Sequence, residues 1–113
     1  MKKLLGLATG LVLLVIACSK NDDKEETVDC ATVNTSFATS VNPLIQTNCA
    51  KSDCHNAGSL NGPGALTTYA QINTNKAKIR QAVASGFMPR DQTFSAQQKA
   101  IITCWIDAGA PNN

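Results

Sequence analysis

Aromatic side chains are scarce here: one Trp, one Tyr and three Phe in 113 residues. A chain of this length holds one small domain, and with so few bulky rings it has little of its own to fill a core. Charge is thin too, at 16% of residues, and no stripe of lysine and arginine runs along the sequence, which excludes a nucleic-acid surface. Histidine occurs once. There is no glycine-rich phosphate loop and no serine or carboxylate constellation, so phosphoryl transfer and hydrolysis lack their working groups, and the chain reads as a non-enzyme. No internal repeat is present. No segment alternates convincingly as a strand, although residues 31–38, rich in Thr and Val, are open to an extended reading.

The one long apolar run stands at the start. Lys2 and Lys3 precede residues 4–17, which are interrupted only by Gly6, Thr9 and Gly10 and stop at Cys18. About 20 apolar residues are needed to cross a bilayer, so this run is a secretory signal rather than a membrane span. Its edge, Val15-Ile16-Ala17-Cys18, resembles the lipobox of bacterial lipoproteins, in which the cysteine takes the lipid and begins the mature chain. The resemblance implies residues 1–17 as signal peptide and a protein held by lipid at Cys18 on a membrane of the bacterial envelope, facing the periplasm or the cell surface.

The mature chain of 96 residues carries eight basic and eight acidic side chains, unevenly placed. Residues 19–29 hold Lys20 and Lys24 against Asp22, Asp23, Glu25, Glu26 and Asp29. From Cys30 onward six basic residues face three acidic ones. Residues 18–29 are therefore the lipidated cysteine and an acidic tether, too polar to fold and spanning roughly 15–20 Å. An acidic cluster just after the lipid-bearing cysteine also resembles the export signal that sends some Gram-negative lipoproteins to the surface. Residues 30–113 are left as the folded domain, mildly basic and monomeric.

Four cysteines remain once Cys18 is assigned to lipid, and thiols outside the cytoplasm tend to be oxidised. Two of them fall in Cys49-Ala50-Lys51-Ser52-Asp53-Cys54-His55. Covalent haem needs two thiols to add across its vinyl groups, with a histidine directly after the second thiol to ligate the iron. The usual spacing is C-x-x-C-H; this chain has C-x-x-x-x-C-H, and the added residues must bulge outward, as Lys51, Ser52 and Asp53 can in water. C-x-x-x-x-C could equally be a disulfide.

The segment resembles the longer-spaced attachment motif of some c-type cytochromes, and the chain is similar to small lipoprotein cytochromes c. The likeness rests on Asn42-Pro43-Leu44-Ile45, Cys49 to His55, Asn61-Gly62-Pro63-Gly64, Met88-Pro89 and Trp105-Ile106-Asp107-Ala108-Gly109-Ala110-Pro111. It implies an all-α, cytochrome c-like helical domain around one covalent haem c, with Cys49 and Cys54 as attachment sites and His55 as proximal iron ligand. Met88 is the one methionine left after the signal is removed, and in Gly86-Phe87-Met88-Pro89-Arg90 it fits the distal ligand; its other reading is a piece of core. By the same resemblance the Pro63 carbonyl would hold the second imidazole nitrogen of His55, while the bland reading of that segment is a tight turn.

The helices are legible from their caps. Asn42 with Pro43 at the first position starts a helix to about Asn48. Thr67 or Thr68 caps a short one over 69–72, and Asn75 another through Ile79, Ala82 and Val83. Ser95-Ala96-Gln97-Gln98 has capping-box spacing and opens the clearest helix, through Ile101, Ile102, Trp105, Ile106 and Ala108, which Gly109 and Pro111 end. Trp105 packs the core or lies against a haem edge. Cys30 and Cys104 form a disulfide or stay as buried thiols. The function expected is electron transfer between redox partner proteins. The alternative is a cofactor-free binding lipoprotein on the cell envelope, stapled by Cys49–Cys54 and Cys30–Cys104 bridges; a zinc module of Cys49, Cys54 and His55 lacks a convincing fourth ligand.

Overall fold

The computed structural model describes residues 26–113. Cys18, the signal sequence and most of the tether lie outside the described residues. Four α-helices form the described part: α1 (Asn42–Asn48), α2 (Tyr69–Thr74), α3 (Lys76–Ala84) and α4 (Ala96–Asp107). Among the described residues there is no strand.

Helix α4 begins as its sequence prescribes. The Ser95 hydroxyl accepts from the Gln98 amide at 3.1 Å and the Gln98 side chain accepts from the Ser95 amide at 3.0 Å, which satisfies two donors that a helix start leaves orphaned. Its end turns at Gly109, at φ +99°, and the Ala110 amide closes back on the Trp105 carbonyl. A second capping box, Thr68 with Gln71, opens α2. Asn75 sits between α2 and α3 but does not cap α3; its side-chain amide donates back to the Gln71 carbonyl at 2.9 Å.

Two expectations fail at the other end of the domain. Residues 31–38 are not extended throughout: a 3₁₀ turn occupies Cys30–Thr32 and a π-helical turn Phe37–Val41. That turn runs straight into α1, so Val41 takes the N-cap position and Asn42 lies inside the helix, where its side chain accepts from Gln46. Tertiary contacts set this conformation. The Phe37 and Ala38 amides donate to the side chain and the carbonyl of Asn113, and Phe37 packs edge-on to Tyr69 and tilted on Trp105, at centroid distances of 5.0 and 5.4 Å.

Trp105 is the centre of the core and is fully buried, with its indole N–H donating to the Pro111 carbonyl at 2.9 Å. Val41 and Ile45 from α1 and the turn before it, Ile72 from α2, Ile79 and Val83 from α3, and Ile102 from α4 close around it. An Arg80–Asp107 pair, bidentate at 2.6 and 2.8 Å, joins α3 to α4 at the surface.

Cys30 and Cys104 are bonded, with Cα atoms 5.5 Å apart. The bridge pins the start of the domain to α4 and sits beside a second apolar cluster of Val33, Ala100 and Cys104. It spans 74 residues of chain, a long loop whose closure restricts the unfolded ensemble. Replacing both cysteines by alanine should lower stability by about 2–5 kcal/mol. Urea unfolding of the double variant against the oxidised parent measures this, and coincident midpoints would contradict it.

Candidate functional site

The loop after α1 shows how a six-residue C-x-x-x-x-C unit is accommodated. The Cys49 amide continues the helical pattern to Ile45, the Cys54 amide bonds to the Lys51 carbonyl, and the His55 amide reaches back to the Cys49 carbonyl at 2.9 Å. The residues between the thiols are thus looped out, with Ser52 and Asp53 exposed. Asp53 takes the left-handed conformation, φ +63°, which Asp tolerates better than most side chains. The Cys54 carbonyl is then held by two donors, the Ser59 hydroxyl and the Asn61 side-chain amide.

His55 is buried, 7% exposed. Its Nδ1 lies 2.9 Å from the carbonyl oxygen of Gly64, not of Pro63, one residue earlier. The chain turns at Gly64, φ +99°, a conformation open to glycine, and presents that carbonyl. A carbonyl can only accept, so Nδ1 carries a proton, and in the neutral ring the lone pair is then on Nε2. That is the tautomer in which imidazole ligates a metal, with its ring orientation fixed from behind. The backbone on both sides is pinned as well, since the Leu66 amide donates to the His55 carbonyl at 2.9 Å.

A cavity of about 520 Å³ lies against this loop, within the range of about 300–1,000 Å³ typical of small-molecule sites. Cys49, Cys54 and His55 line one side. The lining also includes residues of α3 and the loop after it, among them Ile79, Val83 and Met88. Pro63 lines it too, so its place is in the wall rather than as the partner of His55. Met88 is half-buried and its amide donates to the Ala82 carbonyl at 3.0 Å, which fixes the thioether's backbone against α3. Trp105 is absent from the lining and belongs to the core.

Both thiols of this cavity are free, in contrast to the bonded Cys30–Cys104 pair. Burial, and then the neighbouring Cys54, push the Cys49 thiol up to about 11, so at neutral pH it is protonated and a poor nucleophile without assistance. No group of three or more His, Cys, Asp or Glu side chains converges as a metal cage among the described residues. The cavity lining does offer an imidazole and a thioether, from His55 and Met88.

Leu66, Asp91 and Gln92 gave no sequence signal, whereas Lys51 stands inside the motif and Lys78 is a candidate nitrogen donor by its residue type. Leu66 and Lys78 line the cavity, Lys51 pairs with Asp91, and Asn48 accepts from Gln92. The Ile79, Ala82, Val83 spacing identifies an apolar helix face but not what the face borders. In comparison with known proteins, no family model, no curated protein and no solved structure matches the chain.

Proposed function

We propose that this chain is a monohaem c-type cytochrome, a small electron carrier tethered by lipid at Cys18 outside the cytoplasm. One observation carries the reading: the two free thiols, the only histidine and Met88, drawn from two separated segments, line one largely apolar cavity. The donor set fits haem c. Cys49 and Cys54 would hold it covalently, His55 would ligate the iron through Nε2, and Met88 would supply the distal thioether. When bound, the group supplies one-electron chemistry at iron, and the protein's contribution is binding, insulation and tuning.

Each residue then has a defined task. The Gly64 carbonyl would keep the imidazole in the ligating tautomer and orientation. Leu66, Ile79 and Val83 are buried in the cavity lining and would exclude water from a bound apolar group. A thioether opposite an imidazole raises the potential relative to two imidazoles. The stapled, cofactor-free alternative calls for a Cys49–Cys54 bridge, and both of these cysteines are free.

Expression of the full chain alongside haem-maturation machinery tests the reading directly. The expected outcome is a coloured protein whose haem stain survives a denaturing gel and whose reduced visible spectrum is that of a c-type haem. A colourless protein, or haem lost on denaturation, would overturn it.

A further inference from the structure

The loop between α3 and α4 carries Met88, and its two halves are held differently. Its first half is fastened to α3, through the Gly86 amide on the Val83 carbonyl and the Met88 amide on the Ala82 carbonyl. Beyond buried Pro89 the chain runs exposed over residues 90–93 before Phe94 enters the core and Ser95 caps α4. Among the described residues, the Arg90 guanidinium lies over the Phe87 ring, 4.6 Å from its centroid, and two side-chain hydrogen bonds leave that stretch for the segment after α1. The Lys51 ammonium donates to the Asp91 carboxylate, and the Gln92 amide donates to Asn48 at 2.6 Å. Both partners flank Cys49, on the segment that bears the thiols.

We propose that this pair of links is a clasp that holds the Met88 loop over the cavity, with Lys51 and Asp91 acting as positioning residues for the distal ligand. The proposal rests on the haem reading of the same site. It also gives the lengthened thiol spacing a use. Lys51 stands between the two thiols, so the lengthened C-x-x-x-x-C interval carries the partner of Asp91 on the Met88 loop. The hydrogen bond from Lys51 holds the Asp91 carboxyl below its ordinary range, in keeping with a made pair. Both ionic groups are exposed to solvent. Their attraction is therefore screened by salt, with a Debye length of about 10 Å at 0.1 M, and the clasp should loosen as ionic strength rises.

The experiment compares the haem-loaded full chain with Lys51→Met, Asp91→Asn and the charge-exchanged double variant Lys51→Asp with Asp91→Lys. Two readouts report Met88 itself: the far-red sulfur-to-iron band of the oxidised protein and the affinity for added imidazole, which must displace the thioether. Each single variant should bind imidazole roughly two- to fivefold more tightly, the scale of an exposed ion pair, with a weakened band. The double variant should recover the parent's values. Raising salt should move the parent toward the single variants and leave those variants unchanged. Equal imidazole affinity in parent and single variants, or no effect of salt on the parent, would overturn the clasp while leaving the haem reading intact. If instead the parent carries no covalent haem, the haem reading fails by itself, and hydrogen exchange decides the clasp on the haem-free chain. Faster exchange of residues 86–93 in Lys51→Met supports it, and unchanged exchange refutes it.

Discussion

Cys54→Ala and Cys49→Ala should each cut the haem that survives denaturation to a small fraction of the parent's, and the double variant should retain none. In the proposed attachment each thiol would supply one carbon–sulfur bond to the ring, and neither has a substitute nearby, since Cys30 and Cys104 are consumed in their own bridge. The two single variants should not behave alike. Cys54 directly precedes His55, and its carbonyl is the one gripped by Ser59 and Asn61, so its loss removes the bond that seats the imidazole beside the ring. Cys49 is joined to that segment through the hydrogen bond from the His55 amide, and its loss leaves His55 held by Gly64 and Leu66. Residual single-link haem is therefore expected in Cys49→Ala before Cys54→Ala. Haem stain per mole of protein on a denaturing gel measures this, and full stain in both variants would remove the attachment assignment. The high position of the Cys49 thiol makes spontaneous addition slow, so the comparison belongs in cells that carry the maturation machinery.

What the sequence disclosed and what it hid divide along the distance over which each feature is determined. The capping box of α4, Ser95 with Gln98, closes within one helical turn and is readable from four letters; so is the turn at Gly109. The capping choice between Thr67 and Thr68 is settled by Gln71, whose side chain accepts from both amides while only the Thr68 hydroxyl caps the helix. Residues 31–38 misled because Thr and Val favour extended backbone locally, whereas the π-helical turn Phe37–Val41 is held by Asn113 and by the rings of Tyr69 and Trp105, far away in the chain. The motif 49–55 announced a site because its chemistry is packed into seven residues. The loop's opposite anchors did not, because an Asp and a Gln in a polar stretch look like any solvated pair until the fold sets them against Lys51 and Asn48. Pro63 and Gly64 differ by one residue. No spacing rule could choose between their carbonyls, since the choice depends on a backbone turn.

Met88→Ala is the substitution with the sharpest expected signature. The haem should stay in place, because Cys49, Cys54 and His55 are untouched, while the iron's sixth position opens to water or to an added ligand. The far-red sulfur-to-iron band of the oxidised protein should vanish. The midpoint potential should fall by on the order of 0.1 V, part of the roughly 0.8 V over which axial ligands tune haem iron, because a thioether favours ferrous iron more than water does. Nothing else in the mature chain offers a thioether, so no neighbour can restore the band. Nitrogen or oxygen donors such as Lys76, Lys78 and Asn75 are the competitors, and their positions differ. Lys76 is engaged with Asn73 at 3.1 Å and the Asn75 side chain with the Gln71 carbonyl at 2.9 Å, whereas Lys78 lines the cavity. If the parent lacks the band, or the band survives in Met88→Ala, the distal ligand is not Met88. Lys78→Ala is then the variant to measure, and a change in its spectrum with none in Met88→Ala would move the sixth ligand from the loop to α3.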